Sequence, residues 1–214
     1  MRHLTPLDAR VLGVLVAKPS TVPDTSPLSL NALVAGSNQK TARQPVIEAT
    51  EAEVLTAVDG LKTLSLLYEG SGSRVVKFEH NMARALRLPT QAVALLTVLM
   101  LRGPQTSAEL RLNCERLHHF ADISSVEGFL DELAAKEPPM VVKLGRAPGA
   151  REARWAHLLC GDVALPPSGA SMGSEEGVSA GEIVALKAEQ TRLAHELEAL
   201  KALVHRMAAE LGVQ

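Results

Sequence analysis

Residues 66–80, LLYEGSGSRVVKFEH, constrain the fold more than any other stretch of the chain. They read as a β-hairpin. Leu66, Leu67 and Tyr68 form the outgoing strand, Glu69–Ser73 the turn and Arg74–His80 the return. Glycine and serine tolerate turn dihedrals, and the flanks carry β-branched and aromatic residues. On the return strand Val76, Phe78 and His80 share one face, and Val75, Lys77 and Glu79 the other. The same signature returns later. Arg74-x-x-Lys77-Phe78-x-His80 recurs as Arg151-x-x-Arg154-Trp155-x-His157, a shift of 77 residues, while Leu66, Leu67 and Gly70 map onto Val141, Val142 and Gly145 at a shift of 75.

Three helices precede each hairpin. In the first pass Thr5 caps a helix that starts at Pro6, shows Leu7, Val11, Leu12 and Leu15 on one face, and closes at Pro19. Leu28–Ala35 reads as a short second helix ending at Gly36. Thr50-Glu51-Ala52-Glu53 is a capping box opening a third, whose buried face is Val54, Leu55, Val58 and Leu61. The second pass opens at Pro89, with Ala92, Leu95, Leu96 and Leu99 inward, and Gly103-Pro104 ends that helix. Ala92–Leu101 is too short to span a bilayer and reads as a buried helix. Thr106–Leu117 follows, with Ala108, Leu110 and Leu112 in or near the interior. Ser124-Ser125-Val126-Glu127 caps the last helix, and the strand Met140–Leu144 leads into a longer, basic turn. Helix, helix, helix, hairpin is the winged-helix plan. The expected fold class is therefore mainly α with small β-hairpins (α+β). It comprises tandem winged-helix domains at 1–86 and 87–161, a flexible linker at 162–179 and a coiled-coil helix at 180–214.

The tail expectation rests on composition and period. Ala164–Gly177 is rich in Pro, Gly, Ser and Ala. From Ile183 the core positions of four unbroken heptads hold Ile183, Gln190, Leu197, Val204 and Leu211, with Leu186, Leu193, Leu200 and Met207 at the other. A homodimer through residues 183–211 is the expected outcome; a single amphipathic helix packed on the body is the alternative.

The chemistry expected is that of binding. No GxSxG, GxxxxGK[ST] or HExxH motif occurs, so no catalytic residue, cofactor or metal is expected and the chain is read as non-enzymatic. His118 and His119 are adjacent, point about 100° apart on a helix, and lack a partner at ligand spacing. Cys114 and Cys160 match no metal or redox spacing and read as free thiols in a reducing cytosol. The N-terminal residues lack the apolar run of a signal peptide and no segment reaches membrane-spanning length, so a cytoplasmic protein without membrane contact is expected.

Two partners are open, with duplex DNA placed first, as for a DNA-binding or transcription-regulatory protein, because winged helices so often bind it. For duplex DNA, Asn38, Gln39, Lys40 and Arg43 lie between the second and third helices, where Asn and Gln read base edges and Lys and Arg hold phosphates. Arg74, Lys77, Arg151 and Arg154 are the cations of the two wings. The bland alternatives are a loop tied down by its own side chains, and wing cations paired with Glu79 and Glu152. His80 and His157 read as half-buried structural histidines. Against DNA, residues 1–86 carry a net charge of +1, residues 87–162 zero and residues 163–214 a charge of −3. Both third helices are acidic, with Glu51, Glu53 and Asp59 in one and Glu127, Asp131 and Glu132 in the other. The second partner is another protein, met by an adaptor with winged-helix docking modules.

Several motifs carry a resemblance. SLNAL (29–33), SNQK (37–40), Gln44-Pro45-Val46, GSRVVKFEH (72–80), LRGPQT (101–106), ERLHHF (115–120) and ARWAHLL (153–159) together resemble the YceH-like family of uncharacterised bacterial proteins. The resemblance spans about residues 4–161. It implies a tandem winged-helix fold and no established activity. Gly36-Ser37 stand where that family commonly has a cysteine before Asn-Gln-Lys.

Overall fold

A computed structural model describes residues 3–21, 26–70, 76–146 and 152–163. All belong to one compact unit, Met1–Leu165. The expected linker and coiled coil fall, from residue 164 onward, outside the described residues.

The order is α1 (Pro6–Thr21), β1 (Leu28–Ser29), α2 (Leu30–Ser37), α3 (Glu51–Thr63), β2 (Leu67–Gly70), β3 (Lys77–His80), α4 (Met82–Ala85), α5 (Thr90–Arg102), α6 (Ser107–Cys114), α7 (Ile123–Ala134), β4 (Val141–Lys143) and β5 (Trp155–His157). The α+β class is as expected. Capping sets several boundaries. Thr50 accepts from the Glu53 amide while Glu53 reaches back to the Thr50 amide, and Thr106 and Glu109 repeat this at α6.

Other boundaries differ from the sequence expectation for identifiable reasons. The first helix runs through Pro19 to Thr21. Proline's φ is already helical, so the chain continues through it, although Pro19 has no N–H to give the Leu15 carbonyl. Leu28–Ser29 is a strand, not the start of a helix. It pairs antiparallel with β3, Leu28 opposite Phe78, and Ser29 then caps α2 through the Ala32 amide. On α3 the buried set is Val54, Ala57, Val58 and Leu61, whereas Leu55 is 43% exposed. α6 ends at Cys114, and Leu112 is 71% exposed. Asp122, not Ser124, caps α7 by accepting from the Ser125 amide. The outgoing strand starts at Leu67, and α4 is a helical turn that the sequence reading left out.

The duplication is visible in the pairing. β1–β3–β2 form an antiparallel sheet with Leu67 opposite His80, and β4–β5 a second with Val141 opposite His157. Leu67, rather than Leu66, is thus the counterpart of Val141. An isolated bridge, Gln105 opposite Trp155, stands where the first unit has Leu28 opposite Phe78. Both partners are displaced by 77 residues, and so are both ends of α2 and α6.

One apolar core joins the two passes. Val11, Leu12 and Leu15 of α1, Val58 and Leu61 of α3, and Leu95, Leu96 and Leu99 of α5 belong to the same buried cluster. α5 is buried on every side from Ala92 to Leu101, because α1 packs on one flank and α6 and α7 on another. The approach of α1 to α2 needs Gly36, where a Cβ would lie 2.6 Å from a Val14 methyl.

Candidate functional site

The loop between α2 and α3, residues 38–50, has almost no regular structure of its own, so its polar groups must bond elsewhere. Arg10 supplies much of this. It sits on α1 three residues beyond Leu7 and four before Val14, on the apolar stripe, and is only 3% exposed. Its Nη1 donates to the Ser37 carbonyl at 3.1 Å and its Nη2 to the Pro45 carbonyl at 2.6 Å. Ser37 is the last residue of α2, so the guanidinium meets the negative end of a helix as well as an orphan carbonyl. Burial lowers the Arg10 pKa, and its Nε is buried with no hydrogen-bond partner among the described residues. A cation at an apolar helical position was the available sequence signal, and the sequence reading did not use it.

The four candidate residues of the loop have distinct settings. Asn38 clamps Ala49 from both sides: its Nδ2 donates to the Ala49 carbonyl and its Oδ1 accepts from the Ala49 amide, each at 2.8 Å. Gln39 Nε2 donates to Thr41 Oγ1 at 3.0 Å. Lys40 is exposed. Arg43 is half-buried, with Nε on the Gly36 carbonyl at 3.4 Å and Nη1 on the Ala42 carbonyl at 2.9 Å. Burial, then the charges of Arg10 and Arg102, lower its pKa to about 10. The Gln44 amide fastens the loop to α5 through the Leu101 carbonyl at 2.8 Å.

The wing residues divide differently. Lys77 is half-buried on β3. Arg154 is exposed; its Nη1 donates to the Pro104 carbonyl at 3.1 Å and its Nη2 lies 3.6 Å from Glu109. Arg74 and Arg151 lie outside the described residues. On α3, Lys62 is bound to Glu69 at 2.6 Å, while Glu51, Ala52, Leu55, Thr56 and Asp59 face outward. Ile123, Ser124, Gly128, Asp131 and Glu132 face outward on α7.

A cleft of about 540 Å³ opens beside the loop, and the sequence reading did not foresee it. Leu7 of α1, Ile47 of the loop, Met100 and Leu99 of α5 and Ala156 of β5 give it an apolar floor. His157 and Cys160 stand in its wall. His157 Nδ1 is buried with no hydrogen-bond partner among the described residues, and burial lowers its pKa to about 4, so the ring is neutral at pH 7. Burial, and then Asp8, push the Cys160 thiol up to about 11. Its Sγ lies 3.6 Å from the Thr5 carbonyl. A protonated thiol is a poor nucleophile and a neutral buried imidazole brings no charge. The cleft can therefore hold an apolar group but offers it little reactivity. Cys114 and Cys160 are both free thiols, Cys114 fully buried. Among the described residues no three His, Cys, Asp or Glu side chains converge as a metal-ligand set, and no helix is long and apolar enough to cross a membrane.

Fold and site together define a class: an α+β protein with a duplicated helix–sheet unit, a shared core and a loop-bordered cleft. Residues 4–150 match the family described as "Protein of unknown function, DUF480". A UPF0502 protein of Burkholderia multivorans is 68% identical over 214 residues, covering 100% of this chain and 91% of that protein. UPF0502 protein BTH_II0990 of Burkholderia thailandensis is 67% identical over 213 residues, with the same coverage of 100% and 91%. The chain belongs to this uncharacterised family, which bears out the resemblance carried by its motifs.

Proposed function

We propose that the chain is a non-enzymatic, tandem winged-helix adaptor that docks another protein and dimerises through the heptads of residues 183–211. Support for the fold reading comes from element order. Helix, strand, helix, helix and a two-stranded hairpin, with β1 pairing β3, fits the winged-helix arrangement, and the second unit follows the same order, with the Gln105–Trp155 bridge in place of the β1–β3 pairing. The observation that carries the adaptor reading is the outward face of α3. That is the helix a DNA-binding winged helix presents to the major groove. Here it offers Glu51, Leu55 and Asp59, and its cation Lys62 is held by Glu69. The corresponding helix α7 exposes Asp131 and Glu132 and, more than two turns earlier, Ile123. Carboxylates oppose a phosphate backbone, whereas a mixed acidic and apolar face suits a protein partner. Dimerisation would raise the effective concentration of paired docking faces.

A second reading, binding of duplex DNA through the loop and wings, is favoured by exposed Lys40, which has no ion-pair partner among the described residues. Asn38 speaks against direct base readout, because Ala49 occupies both ends of its amide. Fluorescence anisotropy of the full chain with random duplex DNA, at about 50 and 200 mM salt, separates the two, since phosphate-driven binding changes by orders of magnitude across that range. The adaptor reading expects no binding at the lower salt. Tight binding that collapses with salt and is lost in Lys40→Ala overturns it.

A further inference from the structure

The cleft beside the loop has an acidic rim. Glu48, Glu53 and Asp162 line it and are exposed. Among its described lining residues the one arginine or lysine is Arg10, which is buried and spends both Nη groups on the Ser37 and Pro45 carbonyls. The outward-facing charge of the cleft is therefore negative over an apolar floor. A second hollow adjoins the cleft through two shared residues. Leu7 and Glu53 border this hollow of about 290 Å³, formed with Thr5, Asp8, Thr56 and Gly60. From Glu53 to Gly60 the hollow follows α3 for about 10 Å at 1.5 Å per residue. Asp8 also borders it, but is buried and accepts from the Thr5 amide at 2.9 Å.

We propose that this groove docks an extended segment of a partner protein in which apolar anchor side chains alternate with lysine or arginine. The inference rests on the adaptor reading and adds to it the site and the chemistry of the partner. The volume suits burial of one or two large apolar side chains, within the size range of small-ligand pockets. An anionic partner would meet Glu48, Glu53 and Asp162, and no exposed arginine or lysine among the described lining residues. A compact apolar ligand would fill the deeper part and leave the hollow along α3 empty. A chain with cations between its anchors satisfies floor, rim and length together, as in groove recognition where apolar anchors set affinity and rim charges set specificity.

The test uses the full chain and a fluorescein-labelled peptide alternating leucine and lysine, with a leucine–glutamate peptide and random duplex DNA measured in parallel. Anisotropy is expected to show binding of the leucine–lysine peptide alone. Affinity should fall about tenfold in the double variant Glu48→Lys, Asp162→Lys, since two rim attractions become repulsions. Both residues are exposed, so the fold should survive, which circular dichroism checks. Ile47→Arg, which places a cation on the floor, should weaken binding independently. Three results overturn the groove: no binding of the leucine–lysine peptide, equal binding of both peptides, or binding unchanged in every variant. Failure of the peptide without DNA binding leaves the adaptor reading standing and removes this site. Tight DNA binding removes the adaptor reading whatever the peptide does.

Discussion

Arg10 shows how one side chain organises a loop that has little structure of its own. Its two donors close the distance between Ser37 and Pro45, and the Asn38–Ala49 clamp and the Gln44–Leu101 bond complete the fastening. Replacing Arg10 by methionine keeps the apolar stem but strands two carbonyls. The variant is expected to lose about 3 kcal/mol in urea denaturation, as charged hydrogen bonds contribute roughly 1.5–3 kcal/mol each and part is recovered by removing a buried charge. A loss below about 1 kcal/mol would show that the loop holds without it. His157 gives a pH signature. Burial lowers its folded pKa from 6.5 to about 4. The unfolded chain therefore binds more protons between those values, so the contribution is complete above pH 6.5 and is lost as pH falls toward 4. Stability should drop by roughly 3 kcal/mol over that window, and His157→Asn should flatten the curve. An unchanged slope in the variant would assign the pH dependence elsewhere, His80 being lowered in the same direction by burial. The sequence marked His157 as structural through its step with Trp155; it gave no sign of the cleft wall that the ring helps to form.

Elements were legible where the signal is local. Both capping boxes depend on residues three apart, and one of them, at Thr50, was read directly; the other, at Thr106, has the same Thr-x-x-Glu spacing. Thr50→Ala and Thr106→Ala are each expected to cost about 1 kcal/mol, and the double variant about the sum because the sites share no partner. Guanidinium unfolding measures this, and a markedly smaller sum would indicate coupling between the units. What local pattern could not reveal were β1, whose two residues are strand only because Phe78 and Lys77 lie opposite, and the exposure of Leu55 and Leu112. Helical spacing brings Leu55 to the edge of the apolar stripe, and only the position of α1 decides that Ala57 is covered instead.

At the scale of the molecule, the two units share a core through α1 and α5, and the Leu4 amide reaches the Leu159 carbonyl at 2.8 Å. A disturbance in one unit should reach the other. Trp155, the single tryptophan, sits buried in the second unit and reports on it alone. Thr50→Ala, in the first unit, is expected to shift the thermal midpoint read by Trp155 fluorescence as far as the midpoint read by circular dichroism. A fluorescence midpoint that stays in place while the dichroism moves would mean that the units melt separately.

The sequence by itself determined the α+β class, the capping box at Thr50, the hairpins and the duplication, because each is written in residues a few positions apart or in a motif that recurs. It also held the family, in short motifs spread from residue 29 to 159. Tertiary structure alone decided what those pieces surround. The burial of Arg10, the tethering of Asn38 and Arg43, and the acidic-rimmed cleft depend on bringing α1, the 38–50 loop, α5 and residues 156–163 together. Those segments are up to about 150 residues apart in the chain. Hydrogen bonding and burial act on distance in space, so no local pattern carries them.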